Sequence, residues 1–220
     1  MSRGFGDEGL PENRKVVDVC DCGADTFEFL EHAVQSGRTF VVRSCYDRVM
    51  LPGHVGDAAE RGSLHASART LPAQATSTAT VRLDREVLAQ RRQAKREGST
   101  EPIATYREAQ LCMSAAAVRL VAPHVRRGNH GKSPLKVWII RIWEPNPPAG
   151  CEPVEWLLLT NHPVETPADI RRVKTWYEWR WVVEEYHKAQ KTGCAIEKVQ
   201  LRDESRLKPA IAILSVVALK

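Results

Sequence analysis

Residues 16–44, "VVDVCDCGADTFEFLEHAVQSGRTFVVRS", decide how this chain folds. With Lys15 in front, "KVVDVCD" is apolar and β-branched, which predicts a strand. "DTFEFLEHAVQS" places Phe27, Leu30 and Val34 on one side of a helix, and "TFVVRS" is a second strand. Gly23 and Gly37 punctuate the joins. Strand, helix, strand is the repeating unit of α/β proteins, in which ligands gather beyond the carboxyl ends of the strands. Asp21 stands at such an end. The same position also suits an aspartate that only caps a helix, the role expected of Asp25. Asp18 lies an odd number of residues from Asp21, so the two point to opposite faces.

Farther along, residues 176–193 read "WYEWRWVVEEYHKAQKTG". Helical spacing aligns Tyr177, Arg180, Glu184, Lys188 and Lys191 in one polar ridge, with ion pairs of the Arg180–Glu184 and Glu184–Lys188 kind. Trp176, Trp179, Val182, Val183 and Tyr186 fall on a second arc, roughly 140° away, which reads as the buried face. A carboxylate held among Tyr, Arg and Lys suits a site that takes a divalent metal on the carboxylate and phosphate oxygens on the cations. Upstream, "EWLLLT" (155–160) reads as a strand. Thr166 and Pro167 open the helical region as N-cap and first helical residue, and Thr192 with Gly193 ends it. "DESRLKPAIAILSVVALK" (203–220) reads as a last, mostly buried helix.

The middle differs in texture. Residues 46–153 mix short alternating segments with Gly, Pro, Ser and Thr; "TATVRLD", "AAAVRLVAP" and "KVWIIRIWEP" read as strands. Between them "REVLAQRRQAKREGS" (85–99) is an exposed helix or loop, either a contact for nucleic-acid phosphates or a solvated charged face. The expected layout is therefore a polar leader at 1–14, disordered or truncated, a first core segment at 15–45, a β-rich insertion at 46–153 and a second core segment at 154–220.

A chain of 220 residues, 43% hydrophobic, can build one domain with a sizeable core or a core with an insertion. Its 32 Lys and Arg outnumber its 27 Asp and Glu, which favours an acidic partner. The opening "MSRGFGDEGLPENRK" has no apolar core of a signal peptide, and "PAIAILSVVAL" is too short to span a bilayer, so no membrane partner is expected. Six scattered cysteines fit a reduced compartment, and the Cys20–Cys22 pair lacks the second pair a zinc site needs. They read as core or near-site thiols.

The ridge spacing, Tyr177 then two residues, Arg180, three residues, Glu184, six residues, Lys191, resembles the Y-(2)-R-(3)-E-(6)-K signature of the DDE transposases of bacterial insertion sequences, the insertion sequence four family. Residues 16–44 resemble that family's segment carrying the second catalytic aspartate, with Asp21 in its place, and "EWLLLTNHPVETPADIRRV" is similar to the strand and helix before the signature. These segments cover about half of the chain. The resemblance implies an α/β, ribonuclease-H-like catalytic core, incomplete at its N-terminus and interrupted by a β-rich insertion. It implies metal-dependent DNA cleavage and strand transfer in the full-length form, with Mg2+ or Mn2+ held by three carboxylates, two of them Asp21 and Glu184. Tyr177, Arg180 and Lys191 would bind DNA phosphates, with Lys188 beside them and Arg43 as a further basic contact. Trp156 stands where relatives place an aromatic against a flipped base, or else is core packing, and Trp181 carries the same ambiguity.

Departures from the pattern set limits. Cys45 stands where a lysine is expected and Cys22 where an arginine is usual. The first catalytic aspartate has no counterpart: Asp18 faces the wrong way and Asp7 lies in the leader. The expectation is a transposase fragment that binds DNA in a bacterial cytoplasm, at the nucleoid, alone, as a homodimer or with full-length transposase. The alternative is a catalytically inactive DNA-binding or inhibitory remnant. An incomplete core would also leave the edge of a central strand open to aggregation.

Overall fold

The computed structural model describes residues 16–52, 62–98, 100, 104–124, 130–196 and 203–218. The chain divides into two compact units, Met1–Lys174 and Thr175–Lys220.

In the first unit β1 (Val17–Cys20), α1 (Phe27–Gln35) and β2 (Thr39–Arg43) appear where the sequence predicts them. Thr26 Oγ1 accepts from Phe29 N–H and so caps α1, which corrects the expectation that Asp25 does. β1 and β2 pair in parallel, as a helical crossover requires. β3 (Val49–Pro52), β4 (Gly62–Ser63) and α2 (Leu64–Thr70) follow. Next come β5 (Ala75–Arg82), α3 (Arg85–Arg96), the fifteen-residue β6 (Tyr106–Leu120), β7 (Leu135–Trp143) and β8 (Glu155–Thr160).

All eight strands belong to one sheet, ordered β1-β2-β8-β7-β6-β3-β4, with β5 also on β6. Every pairing but β1–β2 is antiparallel, so the fold is mixed α/β with a mostly antiparallel sheet. The described residues of segment 46–153 supply β3 to β7 of the same sheet, and β7 bonds directly to β8, which bonds to β2. Since β7 occupies one edge of β6, β5 and β3 share the other, end to end. β1 lies at the end of the order, with β2 as its one strand neighbour among the described residues.

Register explains the core. Val42 faces Leu159, which faces Ile139, and side chains directly opposite share a face. That face carries Phe40, Val42, Leu157, Leu159, Val137 and Ile139, and packs against Phe27 and Leu30 of α1 and Leu64 and Ala68 of α2. The opposite face carries Val41, Ile140 and Leu158, all fully buried. After β8, α4 (Pro167–Glu178) opens with a reciprocal cap: Thr166 Oγ1 accepts from Asp169 N–H, and Asp169 Oδ2 accepts from Thr166 N–H and O–H.

The second unit holds the end of α4, then α5 (Arg180–Lys188), a π-helical turn Ala189–Gly193 and α6 (Glu204–Ala218). α6 forms as expected but is not buried: Ile211, Ile213, Val216 and Val217 are exposed. No helix among the described residues is long and apolar enough to cross a membrane.

Candidate functional site

Parallel pairing brings the carboxyl ends of β1 and β2 to one side, so the loops that follow them meet. They are joined by Asp25, a fully buried residue. Its Oδ2 accepts from the N–H groups of Cys45 (2.8 Å) and Tyr46 (3.0 Å), and its Oδ1 forms an ion pair with Arg48 Nη1. Arg48 Nη2 also donates to the Asp25 carbonyl at 2.5 Å. The side chain expected to cap a helix is instead a clasp between the β1–α1 loop and the β2–β3 loop. A buried carboxylate needs such a full set of donors.

Asp21 sits in the same loop but is exposed and accepts from Gly23 N–H at 2.8 Å. Gly23 permits that approach, because a Cβ there would stand 3.0 Å from Asp21 Oδ1. Asp18, as its odd spacing requires, is engaged elsewhere, in an ion pair with Arg38 at 2.8 Å.

Beside the clasp lies a cleft of about 260 Å³, bordered by Cys22, Arg43, Ser44, Cys45, His65 and Arg69. Ser44 Oγ and His65 Nε2 share a 2.9 Å hydrogen bond, and burial lowers the His65 pKa, favouring a neutral ring. The Cys45 thiol is pushed up to about 11, by burial of the sulfur first and by Cys22 next, although the residue as a whole is exposed; it donates to the Cys22 carbonyl at 3.5 Å. A pKa raised in this way leaves Cys45 less thiolate at neutral pH than an ordinary thiol has. Glu155 is held between two guanidiniums, Arg69 Nη2 at 2.7 Å and Arg141 Nε at 3.0 Å, and its pKa is lowered, by Arg69 foremost.

Arg43 is exposed and has no ion pair or hydrogen bond among the described residues. It lies opposite Leu158, two residues along β8 from Trp156, so Arg43 and Trp156 share a sheet face as diagonal neighbours, about 7–8 Å apart at the backbone. Half-buried Trp156 stands opposite Ile142.

In the second unit Arg180 Nη1 donates to Glu184 Oε1 at 2.9 Å, and its guanidinium lies over the Tyr177 ring, 6.0 Å from the centroid. Three of the ridge residues are thus together. Two features of the expected ridge need correction. Tyr177 is 6% exposed rather than on an open polar face, and Lys188 pairs with Glu185 at 3.6 Å instead of with Glu184. Lys191 lies in the π-helical turn. The arc expected to be buried is largely open, with Trp179 66%, Val182 62% and Val183 52% exposed, and Trp181 is 56% exposed beside it. Tyr177 continues the buried row Ile170, Val173 and Lys174 of α4, and at Trp179 the helix tightens, where Val182 N–H bonds back only three residues, to the Trp179 carbonyl. Helical spacing taken from Trp176 onward leaves out that upstream row, so the buried side is misassigned.

Asp21 belongs to the first unit and Glu184 to the second. Among the described residues no group of three or more His, Cys, Asp or Glu could hold a metal ion. The described residues alone thus supply no such donor set, and Arg43, Arg180, Lys188 and Lys191 are cations that could take an anion. Sequence reasoning missed the Asp25–Arg48 clasp, the Ser44–His65 pair and the Arg69–Glu155–Arg141 cluster. His65 and Arg69 sit on a short helix within the segment expected to be an insertion, and no spacing rule links them to Ser44 or Glu155. No protein-family model matches the sequence.

Proposed function

We propose that this chain binds the phosphate backbone of DNA, as part of a DDE transposase with a ribonuclease-H-like core whose full-length form cleaves and joins DNA. The observation that carries the reading is the Tyr177, Arg180, Glu184 constellation, in which a carboxylate at the signature spacing holds the arginine over an aromatic ring. The pairing of unengaged Arg43 with Trp156 on one sheet face adds a cation next to an aromatic, a combination suited to a phosphate and its base. Asp21 and Glu184 are the two carboxylates the reading assigns to Mg2+ or Mn2+, and it leaves the third to a segment other than the described residues. On this reading the described residues alone bind DNA without cutting it.

The test is fluorescence anisotropy with a labelled duplex over a salt series. Arg180→Glu and Lys191→Glu should each weaken binding and flatten the salt dependence by about one phosphate contact, a slope change of about 0.9. Absence of duplex binding by the unaltered chain overturns the reading. Strand transfer by the unaltered chain in Mg2+ overturns its non-cutting part.

A further inference from the structure

Among the described residues the most basic element is α3, which takes no part in the ridge or the cleft. In twelve residues it carries Arg85, Arg91, Arg92, Lys95 and Arg96 against one acid, Glu86. None of the five cations has an ion pair or hydrogen bond among the described residues. Leu88 is the helix's one buried residue, and every residue of 89–96 is exposed, so its last two turns pack no side against the body.

Fold stability does not account for this composition. Arg91 and Lys95, and Arg92 and Arg96, are like charges four residues apart, an arrangement that costs helix stability. The helix dipole rewards Lys95 and Arg96 in the final turn but not Arg91 and Arg92. A two-turn helix without an apolar face gains little from packing. The two cation rows each rise about 6 Å along the axis and together span an arc of about 140°, which presents four charges to one side.

We propose that α3, carried on the β5–β6 hairpin, is a second DNA-binding element that grips the phosphates of double-stranded DNA; this rests on the DNA-binding reading above. Duplex is favoured over single strands because residues 89–96 offer no aromatic on which a free base could stack. An anionic membrane is disfavoured because the same residues include only Ala89 and Ala94 as apolar side chains, too little to insert. Contacts of this kind are indifferent to base sequence.

The experiment replaces Arg91, Arg92, Lys95 and Arg96 by Gln together, a residue of similar helix propensity, with circular dichroism to confirm the fold. Binding to a mixed-sequence duplex is titrated with salt alongside the unaltered chain and Arg180→Glu. Loss of four phosphate contacts should lower the salt slope by about 3 to 4 and weaken binding on the order of a thousandfold at about 0.1 M salt. If the fourfold variant keeps its affinity and slope while Arg180→Glu loses them, this inference falls and the reading of the ridge stands. The reverse pattern upholds α3 and removes the ridge. No duplex binding by the unaltered chain overturns both, and tighter binding of the unaltered chain to phosphatidylserine vesicles than to duplex overturns the choice of partner.

Discussion

Replacing Asp25 by alanine should be among the most damaging single changes in the first unit. The substitution strands Arg48, whose side chain is 12% exposed, without its counter-charge, and it leaves the amides of Cys45 and Tyr46 without their acceptor. Breaking a buried ion pair by removing one partner costs about 3–5 kcal/mol. Each amide would add about 1–3 kcal/mol if it stayed dry, but Cys45 and Tyr46 are exposed and water replaces much of the lost bond. The expected loss is about 4 kcal/mol, a fall in Tm of about 8–16 °C for a unit of this size. Urea denaturation followed by circular dichroism measures it, with the slope m unchanged. Adding Arg48→Met to Asp25→Ala should recover much of the loss, because the stranded charge is then gone. A cost below about 1 kcal/mol for Asp25→Ala alone would show that the clasp contributes little and refute the reasoning.

Glu144 forms a two-point ion pair with Arg107, at 2.5 and 2.8 Å, with both side chains largely buried, and Arg107 holds its pKa below the ordinary 4.5. Its contribution to stability is present above about pH 4.5 and fades as pH falls through the lowered folded value, so Glu144→Gln should flatten the acid limb of a stability–pH curve. Cys45, raised from 9.0 to about 11, should alkylate roughly tenfold more slowly at pH 8 than an ordinary thiol, because the smaller thiolate fraction is partly offset by the higher nucleophilicity of the more basic thiolate, as read by peptide mass mapping. Leu30→Ala removes a fully buried side chain between α1 and the sheet and should cost about 2–5 kcal/mol in the same urea assay.

What the sequence revealed was the local structure. Apolar alternation and helical spacing placed β1, α1, β2, β5, β7, β8 and the opening of α4, because each is a short-range pattern. Sheet membership was illegible: nothing in "KVWIIRIWEP" says that its neighbour is Leu157–Leu159 rather than another strand of a separate insertion. Faces in the second unit were misjudged because the spacing was taken only from Trp176 onward, whereas the buried row of α4 starts at Ile170 and runs to Tyr177. Within the candidate site, Arg180 and Glu184 were legible from a four-residue spacing, whereas Asp25–Arg48 and Ser44–His65 join residues more than twenty positions apart. Such pairs follow from loop geometry, which the chain specifies only through the folded sheet.

Strand β6 is braced unevenly, and that gives the hairpin a mechanics of its own. β7 supports it only from Cys112 onward, so residues 106–111, about 20 Å of strand, extend past β7 with β5 as their one strand neighbour among the described residues. The overhang is a cantilever, closed toward its tip by the Leu83–Thr105 bond and propped by the strut of Arg107 on Glu144 at the end of β7, beside which Arg107 also donates to the Glu152 carbonyl and Asp84 accepts from Glu152 N–H. A load at α3 is therefore delivered as a bending moment at Cys112 and a thrust on that strut. Backbone amides should lose protection from exchange steadily from root to tip. Cutting the strut lengthens the free span without touching its anchorage, so acid or Glu144→Gln softens the lever while the parallel β1–β2 pair stays as it was.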